Sequence, residues 1–183
     1  MAEYSIETPM SKEDALKLKA GDKVMLTGRI YTARDAAHKR LVDLLEEGGD
    51  LPIPLEGQII YYVGPAPTPP GKAIGSAGPT TSYRMDPYTP ALIEKGLRGM
   101  IGKGERSEAV VEAMVKHKAV YFAATGGAAA LISKSIVSAE VIAYDDLGAE
   151  AVRKLEVKGF PVIVAQDCHG GNIYKEGQAK YAR

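Results

Sequence analysis

The pattern that most restricts this chain is an alternation of two periodicities. Past the midpoint, short apolar runs of strand type (residues 99–101, 119–124, 136–144 and 160–165) are parted by stretches with helical spacing (92–95, 107–118, 128–134 and 148–157). Strands separated by helices of about ten residues predict an α/β sheet. The first half reads as helix at 9–20, as strand at 22–30 and 58–63, and as helix again from residue 32 to the stop at Gly48–Gly49. Ser11 is a candidate N-cap, with Glu13 and Asp14 in the first turn, and Thr32 is a candidate cap for the second helix. Strand and proline character is heavier in this half, so the sheet is expected to be mixed and flanked by helices. One domain over residues 1–183 is expected, with a frayed, flexible tail over residues 176–183.

Charge excludes several function classes. Lys plus Arg and Asp plus Glu both number 23, so no global field draws in nucleic acid or an anionic membrane. Any anion site must be local. The single cysteine, Cys168, rules out an internal disulfide and a cysteine-only metal cluster within one chain, and it fits a reducing compartment. The opening MAEYSIETPMSKEDALKL carries early acids and lacks the apolar core of a signal peptide. No run approaches the ~18 apolar residues of a membrane span. The expectation is a cytoplasmic protein with neither a nucleic-acid nor a membrane partner.

Residues 64–90 hold most of the chain's prolines among Gly, Ser and Thr. A loop this long in a compact domain is functional or disordered. Its dense polar stretch, GPTTSYRMDPYTP, favours function, because three hydroxyls, a tyrosine, an arginine and an acid can seat and clamp a carboxylate. A polar surface loop is the plainer alternative. A second group is Thr32-Ala33-Arg34-Asp35-Ala36-Ala37-His38, at a strand-to-helix junction. Free N–H groups at a helix start favour anions, and Arg34 adds a planar fork. His38 shares its face if the helix has begun by then. The alternative is a cap with Arg34 and His38 solvated. A third is Gly102-Lys103-Gly104, where a lysine projects from a tight turn or simply caps a surface turn. Residues 124–130, Ala-Thr-Gly-Gly-Ala-Ala-Ala, pair a strand end with a helix start but lack the spacing of either nucleotide fingerprint. Cys168 beside His169 forms no dyad, because neighbours on an extended chain point opposite ways.

In this order, GDKVMLTGRIYTARDAAHKR, GQIIYYVGP, GSAGPTTSYRMDPY, GMIGKGERS and AVYFAATGGAAAL resemble the β subunit of the class I fumarases and L-tartrate dehydratases, which is the C-terminal domain of the fused members. The resemblance implies a swivelling β/β/α domain and reversible hydration of a C4 dicarboxylate, fumarate to L-malate first and tartrate second. It implies a 4Fe–4S cluster held by the cysteines of a separate α subunit, hence a hetero-oligomer that is inactive when split, with no metal ligand on this chain. It also implies roles. Arg34 binds a substrate carboxylate, Thr80 is the candidate base, Arg84 is a second clamp and Lys103 a further cation, with Thr81 and His38 in support. A reading of another class stays open: a non-catalytic small-anion or nucleotide-binding module built on Gly126–Gly127.

Overall fold

The computed structural model describes residues 1–124 and 129–181. The strands are β1 (Glu3–Glu7), β2 (Lys23–Thr32), β3 (Ile59–Tyr61), β4 (Gly99–Gly102), β5 (Val120–Ala123), β6 (Ile136–Ala143) and β7 (Val152–Gln166). The helices are α1 (Lys12–Lys17), α2 (Asp35–Glu46), α3 (Thr89–Glu94), α4 (Glu108–His117), α5 (Ala129–Ser135) and α6 (Ile173–Tyr181). All the strands join one seven-stranded sheet in the order β1-β2-β3-β4-β5-β7-β6. β2 also pairs with β7, so β2, β3, β4, β5 and β7 close on themselves as a barrel-like ring. Pairing is parallel from β1 to β5 and antiparallel at β7, which makes the sheet mixed as expected.

Local chemistry explains the elements. Ser11 and Asp14 cap α1 reciprocally, each side chain meeting the other's backbone N–H. α4 starts at Ser107, whose hydroxyl accepts from the Val110 N–H, and ends at Lys118 in the left-handed conformation. β3 is buried throughout, as a strand covered on both faces must be. Ile59 and Tyr61 join a cluster on one face with Leu26, Ile30, Ile101, Phe122, Phe160 and Val164. Ile60 and Tyr62 join the other face with Leu41, Met85, Leu92, Met100, Met114 and Tyr121, beneath α2, α3 and α4.

Two expectations change, and two elements are added. Residues 148–157 are not a helix: a 3-10 turn over Asp145–Glu150 leads straight into the fifteen-residue β7. Thr32 does not cap α2. It is buried in β2, where its hydroxyl accepts from the Arg153 N–H at 3.1 Å, and Arg34 holds the N-cap position. The last described stretch is the helix Ile173–Tyr181, with the Asn172 side-chain oxygen accepting from the Tyr174 N–H at 2.9 Å. β1 has no counterpart in the sequence reading.

Candidate active site

β2, β3 and β4 run parallel, so their carboxyl ends share one edge of the sheet. Ligand sites of open α/β sheets lie at such ends. Arg34 follows β2, Gly64 follows β3 and Lys103 follows β4. The segment at 124–130 that follows β5 falls largely outside the described residues.

Backbone hydrogen bonds draw the loop over residues 64–81 back to this edge. The Tyr61 hydroxyl donates to the Ala77 carbonyl, and the Ala66 N–H donates to Ser76 at 2.9 Å. The Thr80 N–H then donates to the Tyr62 carbonyl at 2.7 Å, while the Tyr62 N–H donates to Ile101 at 2.8 Å. Thr81 pairs with Lys103 as a parallel bridge: the Lys103 N–H donates to Thr80 at 3.3 Å and the Ser82 N–H to Lys103 at 2.9 Å. Thr80, Thr81 and Lys103, more than twenty residues apart in sequence, are thus one structural unit.

The Gly-Lys-Gly turn is shaped by its neighbours. A Cβ at Gly102 would overlap the Ser82 hydroxyl, and Gly104 has φ +85. The buried Ser82 hydroxyl meets the Tyr121 hydroxyl at 2.7 Å, and Tyr121 donates on to the Gly104 carbonyl at 2.7 Å. Lys103 itself is exposed. Arg84, on the 3-10 turn Ser82–Met85, is exposed as well. Neither has an ion-pair partner among the described residues.

Arg34 is half-buried. Its Nε lies 3.1 Å from a Glu150 carboxylate oxygen, off the line of a hydrogen bond, and its Nη2 is 3.7 Å from Asp35. Gly64 lies close against it, since a Cβ there would stand 3.1 Å from Nη1. The acids orient the guanidinium without saturating it.

His38 is buried completely, beneath Arg34. Its Nδ1 donates to the Arg34 carbonyl at 2.8 Å, and its Nε2 meets no partner among the described residues. The ring packs edge-on against Tyr62 at 5.3 Å and lies 6.4 Å from Tyr88. Burial, with some help from the charge of Arg106, pushes its pKa down to about 4, so the ring is neutral at pH 7. The neutral ring holds the Arg34 backbone through that carbonyl.

Sequence reading missed the polar layer under these segments. Asp86 and Arg106 form an ion pair at 2.7 Å, and the Arg106 side chain is wholly buried. Asp86 closes the quoted RMD run and Arg106 follows the Gly-Lys-Gly turn, but pairing across the intervening helix leaves no local trace. A groove of 540 Å³ is lined by Glu105, Arg106, Gln166, Asn172 and Lys175, so Arg106 backs it while Arg34, Thr80, Arg84 and Lys103 do not line it. Among the described residues, no helix is long and apolar enough to cross a membrane.

A family model described as Fumarase C-terminus matches residues 2–177. The chain is 41% identical over 156 residues to the anaerobic class I fumarate hydratase of Escherichia coli (strain K12), covering 84% of this chain and 28% of that protein. It is 40% identical over 158 residues to fumarate hydratase 2 of Leishmania major, covering 85% of this chain and 28% of that one. It is 40% identical over 177 residues to a protein of Methanocaldococcus jannaschii provisionally named L(+)-tartrate dehydratase subunit beta, covering 93% of this chain and 91% of that one. The chain therefore spans about a quarter of the two fumarate hydratases. The nucleotide-module reading finds no relative among these.

Proposed function

The chain belongs to the fumarase C-terminus family, and from that premise we propose that it is the β part of an iron–sulfur hydro-lyase that interconverts fumarate and L-malate with a cysteine-bearing α part. The observation that carries this reading is the gathering of Arg34, Thr80–Thr81 and Lys103 at the carboxyl ends of adjacent parallel strands. Malate and fumarate bear two carboxylates each. Drawing them out of water needs paired cations, and Lys103 and Arg84 are exposed cations without an ion-pair partner among the described residues, while Arg34 is only partly satisfied.

Class I fumarate hydratases depend on an iron–sulfur cluster, and the donor set of this chain does not fit one. Cys168 is the single cysteine, and it is buried with its Sγ 3.4 Å from the Ala15 carbonyl. No three His, Cys, Asp or Glu side chains gather as a metal site among the described residues. We assign the cluster to the α part and propose that the two parts work together as a hetero-oligomer. A cytoplasmic, reducing setting suits the buried free thiol.

The roles of this chain are binding, orientation and proton transfer. Arg34 and Arg84 each hold a substrate carboxylate, and Lys103 adds a third positive charge. Thr80 is the candidate base at the substrate's C–H carbon, with Thr81 beside it. A threonine hydroxyl is a weak base, so that role needs activation by its neighbours. His38 holds the Arg34 backbone.

L-tartrate is the second reading, favoured by the relative whose length this chain nearly fills. It shares both carboxylates and adds a hydroxyl. Co-expression with a cysteine-bearing partner, followed by steady-state assay on fumarate, L-malate and L-tartrate, separates the two. Higher kcat/KM on fumarate is expected. A higher value on tartrate moves the assignment, and no turnover of any of them by an iron-loaded complex removes it.

A further inference from the structure

The geometry points to Asp86 and Arg106 as positioning residues, a buried ion pair that holds the Thr80–Arg84 segment and the Gly-Lys-Gly turn in one register. The inference rests on the reading above. Asp86 stands two residues after Arg84, and Arg106 three after Lys103. The bridge between Thr81 and Lys103 fixes one end of these segments, and Asp86 fixes the other. One Asp86 oxygen accepts from Arg106 Nε at 2.7 Å, and the other accepts from the Ser107 N–H at 2.9 Å, where α4 begins.

Arg106 also touches each part that supports the edge. Its Nη2 donates to the Thr89 hydroxyl at 2.8 Å. Its guanidinium carbon lies 5.1 Å from the Tyr62 ring centroid and 5.0 Å from that of Tyr121. Tyr62 carries Thr80 on its carbonyl, and Tyr121 carries Gly104 and Ser82 on its hydroxyl. The same guanidinium therefore braces the backbone under Thr80 and the turn under Lys103. Burying an ion pair gains little stability over an apolar pair, and Nη1 of Arg106 is left without a partner among the described residues. What the pair provides is direction: a planar fork against a carboxylate fixes the two chains at one spacing.

The test uses the full chain carrying Asp86→Asn, which keeps shape and removes charge. In hydrogen exchange, the amides of Thr80, Ser82 and Lys103 are expected to lose protection by about tenfold or more, while those shared by β2 and β7 keep theirs. In the assembled enzyme kcat/KM is expected to fall about tenfold or more, chiefly through KM, since small displacements of binding groups are costly. Unchanged exchange at those three amides overturns the inference, as does an equal loss across β2 and β7, which marks a merely structural pair. If Asp86→Asn does not fold, Thr89→Val removes the Nη2 acceptor alone and is read by the same amides, with a smaller loss expected and no loss decisive against it. If the unmodified complex turns over no dicarboxylate, the functional reading fails while the exchange result still decides this one. Normal turnover with unchanged Asp86→Asn kinetics and exchange sinks the positioning role alone.

Discussion

At the scale of single residues, the site sets free charge against buried neutrality. Arg84 is exposed on its short turn and has no ion-pair partner among the described residues, so it has no structural duty there to lose. Arg84→Ala in the assembled enzyme should remove a charge-assisted contact of about 1.5–3 kcal/mol and leave the melting temperature unchanged. Unaltered kcat/KM would take Arg84 out of the site. His38 is the opposite case. Its folded pKa of about 4 lies below the ordinary 6.5, so the unfolded chain binds a proton first. The neutral ring is fully compatible with the fold above pH 6.5, and stability is lost as pH falls from 6.5 towards about 4. The gap amounts to roughly 3 kcal/mol at the acid end. Carboxylates titrate in the same range, so the measurement is a comparison: His38→Gln should flatten the fall in stability between those limits. An identical slope in the variant would show that the proton goes elsewhere.

At the scale of elements, Gly102 in β4 makes the sharpest test. A side chain there would displace Ser82, and Ser82 ties Tyr121 to the turn that carries Lys103. Gly102→Ala should destabilise by about 1–3 kcal/mol through overpacking and should lower kcat/KM as well. Loss of stability with full kinetics would separate the Ser82 contact from the site. The elements differ in how far the sequence revealed them. α1 and α4 were legible because Ser11 and Ser107 cap them with their own side chains. β7 was not. Val152 and Leu155 are both buried at a spacing of three, and its pairings with β2 and β6 shift register, so the strand's alternation is broken into something of helical period. Of the candidate site, the Thr80, Lys103 and Arg34 segments stand out in the sequence because their glycines and helix starts have local meaning. Asp86 with Arg106, and His38 under Arg34, arise only when distant segments close. That pairing is a tertiary fact with no period in the chain.

At the scale of the whole molecule, closure of β2 on β7 links the ring to the site. Phe160 on β7 packs edge-on against Tyr61 on β3 at 5.3 Å, and the Tyr61 hydroxyl holds the Ala77 carbonyl, three residues before Thr80. Both rings are fully buried. The seam that closes the ring therefore also anchors the loop that delivers the hydroxyls. Phe160→Ala should cost about 3–5 kcal/mol, as large-to-small changes in a packed core do. Its effect should spread unevenly. Without the Phe160 edge, Tyr61 gains freedom to swing and its hydroxyl no longer fixes Ala77. The amides of Ala66 and Thr80, bonded to Ser76 and Tyr62, should then exchange faster than the fall in global stability alone accounts for. β1 pairs with β2 on the far side of this seam and should follow global stability only. Hydrogen exchange read residue by residue on the variant decides between the two behaviours. If Ala66 and Thr80 merely track β1, ring and loop are independent, and closure of the barrel has no part in presenting Thr80.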